Sequence, residues 1–223
     1  MIDQTNGLDW RDGNVPVSRR FDDPYYSLDN GLEETRHVFL TGNGLPERLR
    51  DGFQIAELGF GTGLNLLATL KLWRDTGQTG MLRFTSFELY PLAAPDMLRA
   101  QAQFPGVEDI ATELRPHWEA GATRITLPDL TFEMIVGDAR ETVPAWNHVA
   151  DAWFLDGFSP AKNPELWEPD LLTAVAQHTA PDGTAATYSA AGAVRRALDA
   201  AGLQTQRIPG FGRKRHMTIA AKA

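Results

Sequence analysis

FQIAELGFGTGLN, residues 53–65, decides how the rest of this chain is read. Phe53, Ile55, Ala56 and Leu58 form a short apolar run that suits a buried strand. Three glycines then fall in five positions, at Gly59, Gly61 and Gly63. From Leu64 to Trp73 the apolar residues recur at helical spacing. Strand, glycine loop and helix in that order bring a backbone close to a ligand and aim helix N–H groups at it. A dinucleotide fingerprint needs glycines at its first, third and sixth positions. Here the sixth position is Leu64, which argues against a nicotinamide dehydrogenase.

The 223 residues fit one large domain. A segment 1–50 is expected to pack as an N-terminal extension on a domain spanning 51–223. No long apolar run and no export signal is visible, so a cytoplasmic, non-membrane protein is expected. The chain has no cysteine, which removes disulfides, thiolate metal sites and cysteine nucleophiles. No metal is expected. The net charge of −8 disfavours general polyanion binding. From Ser189 to Ala223, however, seven Lys or Arg face one acid, Asp199, so that segment is +6 and the remainder −14.

Outward from the glycine loop, the pattern alternates between strands and helices, as in an α/β protein with a parallel sheet. Upstream, Val15 to Phe21 predicts a short strand, Asn30-Gly31 a turn, Val38 to Leu40 an apolar strand or helix, and Pro46 to Asp51 one or two helical turns. Downstream, Leu82 to Leu89 predicts a strand with Glu88 near its end, where such folds hold ribose hydroxyls. Helices are expected at Pro95–Phe104 and Val107–Leu114, and strands at Ala122–Leu127 and Thr131–Gly137. Asp151 to Leu155 is a short apolar strand that leads into Asp156-Gly157-Phe158-Ser159-Pro160-Ala161-Lys162-Asn163-Pro164. The carboxyl end of such a strand faces the ligand crevice, so this loop is placed beside the reacting centre. The next helix is expected from Leu166 to Val175. A strand Thr184–Ser189 is predicted after a Pro181-Asp182-Gly183 turn, then a helix Ala190–Ala201. A hairpin of Leu203–Ile208 and Met217–Ala221 closes the chain. Its loop carries Arg213, Lys214 and Arg215, which suit phosphates.

The E-x-G-x-G-x-G run from Glu57 to Gly63 resembles motif I of the class I S-adenosylmethionine (SAM) methyltransferases. Gly137-Asp138-Ala139 resembles the motif whose acid receives the adenine amino group, and Asp138 can also cap a helix. Longer stretches, Pro16–Leu40, Ala56–Asn65, Asp151–Trp167, Ala191–Leu198 and Gly210–Met217, resemble the methyltransferase half of the MnmC family. Those bifunctional enzymes finish 5-methylaminomethyl-2-thiouridine at the tRNA wobble position. The resemblance implies a Rossmann-like SAM methyltransferase with a mostly parallel seven-stranded sheet and a C-terminal antiparallel hairpin, either in a stand-alone, MnmD-like form or as an isolated domain of the bifunctional chain. It implies N-methylation of 5-aminomethyl(-2-thio)uridine in the tRNA anticodon region, no flavin chemistry, and a separate enzyme that supplies the aminomethyl substrate.

Cofactor residues implied by the resemblance are Glu57, Gly59, Phe60, Gly61, Thr62, Gly63, Asn65, Glu88, Asp138, Ala139 and Asp156. Asp156 is expected to hydrogen-bond the acceptor amine and Phe158 to wall the site. Tyr26, Asn30, Glu33, Glu34, Pro160 and Asn163 are expected on the substrate side. Lys162, Arg213, Lys214 and Arg215 are expected on anticodon phosphates. Two other readings share the cofactor residues or the fold: a methyltransferase for a small amine or a protein, and a non-catalytic tRNA-binding module.

Overall fold

The computed structural model describes residues 7–11, 14–27 and 30–222. Leu28 and Asp29, inside the Tyr25–Leu40 stretch, lie outside the described residues. The chain starts with a small antiparallel sheet: β1 (Leu8–Arg11), β2 (Val15–Ser18) and β3 (Asp23–Pro24). Helix α1 (Gly31–Thr35) follows, capped by the Asn30 side chain, which accepts from Glu33 N–H. A π-helical turn, Arg36–Leu40, continues it, so Val38 to Leu40 resolve as helix rather than strand. Pro46 to Asp51 form turns and no helix.

The central sheet then alternates with helices: β4 (Gln54–Leu58), α2 (Leu64–Asp75), β5 (Leu82–Glu88), α3 (Ala94–Gln101), α4 (Glu108–Glu119), β6 (Arg124–Thr126) and β7 (Leu130–Val136). The second half adds α5 (Ala139–Thr142), β8 (Ala150–Leu155), α6 (Pro169–Gln177), β9 (Thr179–Thr187), α7 (Gly192–Ala200), β10 (Leu203–Pro209) and β11 (His216–Lys222). Strand order is β10-β11-β9-β8-β4-β5-β7-β6. Pairing is parallel from β9 through β7, while β11, β10 and the edge strand β6 run antiparallel. The sheet therefore has eight strands rather than seven among the described residues. The three-residue β6, inside the strand expected at Ala122–Leu127, folds back on β7 through the Pro128-Asp129 turn.

The parallel strands are buried on both faces, and the pleat sorts their side chains into two cores. Ile55, Phe84, Phe132 and Phe154 pack with α2, α3 and α4 on one face. Ala56, Leu58, Phe87, Trp153 and Leu155 pack with α5, α6 and α7 on the other. The first core also takes Leu32, Val38, Phe39, Leu40, Leu45 and Leu49, so it draws on residues from both sides of position 50. Strand β9 begins five residues before the expected strand. Its register jumps from Ala150–Thr179 to Ala152–Thr184, so Pro181-Asp182-Gly183 is a bulge inside the strand and not a turn before it.

Chain order reverses at the β8–β4 boundary, because β5 lies on one side of β4 and β8 on the other. Open α/β sheets hold ligands in the crevice at the carboxyl ends of such a pair. The two ends are drawn tightly together here. Gly59 has φ +87°, and a Cβ on it would sit 2.3 Å from the Asp156 carbonyl oxygen. Gly59→Ala is therefore expected to destabilise the fold by more than the roughly 1–3 kcal/mol of a left-handed backbone alone. Gly77→Ala, also at positive φ but with open space around it, should show only the backbone effect. Chemical denaturation of both variants measures the difference.

Candidate active site

A cleft of about 970 Å³ opens over the carboxyl ends of β4, β5, β7 and β8. That is at the upper end of ordinary small-molecule sites. Its floor is the glycine loop, and its far wall is the loop after β8. The small N-terminal sheet forms its roof. Phe21 stacks on Phe158 at 4.8 Å between ring centroids, and Tyr25 meets the same ring edge-on at 5.0 Å. Tyr25 also lies over Gly61, where a Cβ would come within 3.1 Å of its ring. The roof is tied down by polar contacts as well. Asp23 Oδ2 accepts from Ser159 N–H at 2.9 Å, and Lys162 Nζ pairs with Asp22 Oδ2 at 2.9 Å.

Beneath the floor lies a network of carboxylates. Asn65, at the start of α2, donates through Nδ2 to Glu57 Oε1 at 2.8 Å and to Asp156 Oδ2 at 2.6 Å. Thr35 Oγ1 donates to Asn65 Oδ1 at 2.9 Å, which fixes the orientation of the amide. Ser86 Oγ donates to the other Glu57 oxygen at 2.6 Å. Glu57 is fully buried, and burial, reinforced by the Asp156 and Glu88 charges, pushes its carboxyl well above the usual range against the pull of Ser86 and Asn65. Glu57 does not line the cleft; it reaches the cleft only through Asn65. Each of its oxygens accepts one hydrogen bond from the protein, from Asn65 Nδ2 and from Ser86 Oγ.

Asp156 does line the cleft. Burial raises its carboxyl to about 7; the nearby Glu34 charge adds to this, while the Asn65 hydrogen bond and Lys214 oppose it. Glu88 also lines the cleft. It accepts from Gly61 N–H at 3.1 Å and Tyr90 N–H at 2.8 Å, and burial raises its carboxyl against those bonds. Asp138 caps α5 through Arg140 N–H. The Arg140 guanidinium lies 2.6 Å from Asp138 Oδ2 and keeps its carboxyl below the usual range.

Several other expected residues are placed differently. Phe60 turns its ring into the core against Phe132 and Trp118, so it offers the cleft only backbone. Gly63 caps α2 and does not reach the cleft, whereas Thr62 and Ala139 line it. Asn30 is a helix cap, Glu33 pairs with Arg36 on the outside, and neither lines the cleft; nor do Pro160 and Arg215. Tyr26, Glu34, Asn163 and Arg213 do. Lys162 and Lys214 were expected on phosphates, but they pair with Asp22 and Glu34 of the same chain.

Sequence reasoning missed Thr35, Tyr188, Phe21 and Tyr25 as site residues. Tyr188 had a usable signal, since it follows a parallel strand at its carboxyl end. Thr35 had none, because its role depends on a partner thirty residues away.

The parallel sheet, the reversal at β4 and β8, and the glycine loop beneath a nucleoside-sized cleft define a Rossmann-like methyltransferase fold. A family model described as S-adenosyl-L-methionine-dependent methyltransferase matches residues 105–223, and the chain belongs to that family. The tRNA 5-methylaminomethyl-2-thiouridine biosynthesis bifunctional protein MnmC of Caulobacter sp. strain K31 is 48% identical over 221 residues, 93% of this chain and 37% of that protein. The MnmC protein of Hahella chejuensis is 43% identical over 223 residues, 95% of this chain and 36% of that protein. The crystal structure of MnmC2 from Aquifex aeolicus matches with a TM-score of 0.80 at 28% identity, covering 96% of this chain and 69% of that one. The chain thus spans little more than a third of the length of the curated relatives it matches.

The cleft fits SAM on its own chemistry. Gly59 and Gly61 line the cleft without side chains, so the loop offers its backbone there. Each Glu88 oxygen is braced by one backbone N–H and keeps acceptor capacity toward the cleft. Among the described residues, no group of His, Cys, Asp and Glu side chains could hold a metal ion, and no helix is long and apolar enough to cross a membrane.

The raised Asp156 carboxyl predicts a stability signature. Its folded-state value, about 7, lies above the ordinary 3.8, so the stability it contributes is full below the lower value and lost as pH rises through the higher one. Asp156→Asn carries no charge to bury. Relative to the parent chain it should gain more stability near pH 8 than near pH 5 in urea unfolding. Equal differences at both pH values would contradict the buried-charge account.

Proposed function

We propose that this chain N-methylates the primary amine of 5-aminomethyl(-2-thio)uridine at the tRNA wobble position, in the cytoplasm, after a separate enzyme has supplied the aminomethyl group. The names of the MnmC relatives support the substrate. The observation that carries the chemistry is Asp156: a carboxyl at the switch point, held by Asn65, with Glu34 on the same cleft.

SAM supplies an electrophilic methyl carbon on a sulfonium, which an uncharged amine attacks in line. Glu88 would hold the ribose hydroxyls and the loop from Gly59 to Thr62 would offer its backbone. Asp138 would meet the adenine end, with Arg140 already shaping its acceptor directions. Asp156 accepts a hydrogen bond from the acceptor nitrogen, points its lone pair and takes up the proton that must leave. Phe158, held by Phe21 and Tyr25, excludes water and presents an aromatic face that suits a cation. Most of the rate enhancement then comes from alignment. Arg213 and Arg215 would contact anticodon phosphates, with the wobble base splayed out of its stack.

Transfer of label from SAM to bulk tRNA of a strain lacking this modification, followed by nucleoside mass analysis, tests the whole reading; label on 5-aminomethyluridine is expected. Asp156 must be ionised to act, so the rate should rise with pH through about 7. Asp156→Asn should lose at least about 10²-fold in kcat while still binding SAM. A variant that keeps full turnover removes Asp156 from the chemistry.

A further inference from the structure

Lys214 is part of the cleft. It sits in the loop between β10 and β11, yet its ammonium turns inward. Nζ lies 2.7 Å from Glu34 Oε1 and 4.0 Å from the centroid of the Tyr188 ring. The Glu34 side chain is only 12% exposed. The Tyr188 ring is anchored, because its hydroxyl donates to the Gly157 carbonyl at 2.6 Å, one residue past Asp156. A carboxylate, an aromatic face and the neighbouring Asp156 therefore surround one primary alkylammonium on the cleft wall. Carboxylate plus π-face is the chemistry that recognises such a cation, and it has little to offer a neutral group.

We propose that Glu34 and the Tyr188 ring form a seat in which the acceptor docks as a primary alkylammonium beside Asp156, displacing the Lys214 that keeps this seat; ionised Asp156 then takes one proton, which frees the uncharged amine that attacks, and the methylated product leaves as a secondary ammonium. The inference rests on the proposed function only for the identity of that acceptor. Lys214 is able to leave: its side chain is 44% exposed, and Gly212 at φ +56° has open space around it. Once displaced, its charge faces outward with Arg215, where a nucleic-acid acceptor brings phosphates. The seat also selects among acceptors. An alcohol in place of the amine has no charge with which to displace Lys214, so a hydroxymethyl analogue stays outside.

The test is binding of the nucleoside 5-aminomethyluridine, which has no phosphate, to the full chain loaded with S-adenosylhomocysteine. Lys214→Met should tighten binding about threefold or more, because the competing cation is gone. Arg207→Met, which removes an equal charge from β10, should leave it nearly unchanged. Glu34→Gln should weaken it about tenfold. The hydroxymethyl nucleoside should bind poorly throughout. Binding of S-adenosylhomocysteine itself reports that each variant is folded. If Lys214→Met binds the amine no tighter than the parent, or if Arg207→Met tightens it equally, the seat is wrong even where the parent chain methylates tRNA. If the parent chain leaves aminomethyl-tRNA unmodified but the nucleoside follows the expected pattern, the seat stands and the tRNA reading falls.

Discussion

One side-chain amide stands between two carboxylates, and the site depends on it. Asn65 Nδ2 serves both Glu57 and Asp156, while Thr35 holds the amide oxygen. Carboxylates drawn together away from water repel each other and lose solvation, and only hydrogen bonds offset that loss. Glu57, sealed behind the floor, is pushed toward the neutral form, and Asp156, at the cleft, is raised to about 7, where it can exchange a proton. The backbone makes this possible. Without a side chain at Gly59, the ends of β4 and β8 approach closely enough for one residue of α2 to reach both acids.

The rest of the cleft is built on that floor by segments distant in sequence. The N-terminal sheet contributes Phe21 and Tyr25 from above and clamps the loop after β8 through Asp22 and Asp23. The C-terminal hairpin contributes Lys214 from the side. The stretch around Tyr25 and the loop around Lys214 therefore line the same cleft over the carboxyl edge of the sheet. The long loop after β8 is shaped as much by these contacts as by its own prolines: Trp167 Nε1 holds the Phe158 carbonyl, and Tyr188 holds that of Gly157.

Electrostatically, the chain is acidic overall, and its cationic C-terminal loop is less available to phosphates than its composition suggests. Lys214 and Lys162 already neutralise Glu34 and Asp22. Such pairs at partly exposed positions are each worth little for stability. Their effect is to set which charges face outward and which face the cleft, and so to set the field around Asp156.

The sequence alone determined the local elements. Apolar runs, helical spacing and punctuating glycines gave the α/β alternation, the loop after β4, the hairpin and the strand-end acids Glu88, Asp138 and Asp156, because those signals act over a few residues. It misplaced what depends on neighbours far along the chain. Pro181-Asp182-Gly183 reads as a turn locally, but pairing with β8 makes it a bulge. The helix expected to stop at Leu114 runs on to Glu119, because packing of Leu114 and Trp118 into the core carries α4 past Pro116. Lys214 reads as a phosphate contact, and Glu34, 180 positions away, turns it toward the cleft. Tertiary structure decided these because a side chain's direction and ionisation follow from what surrounds it, and for these residues the surroundings are supplied by other strands, helices and loops.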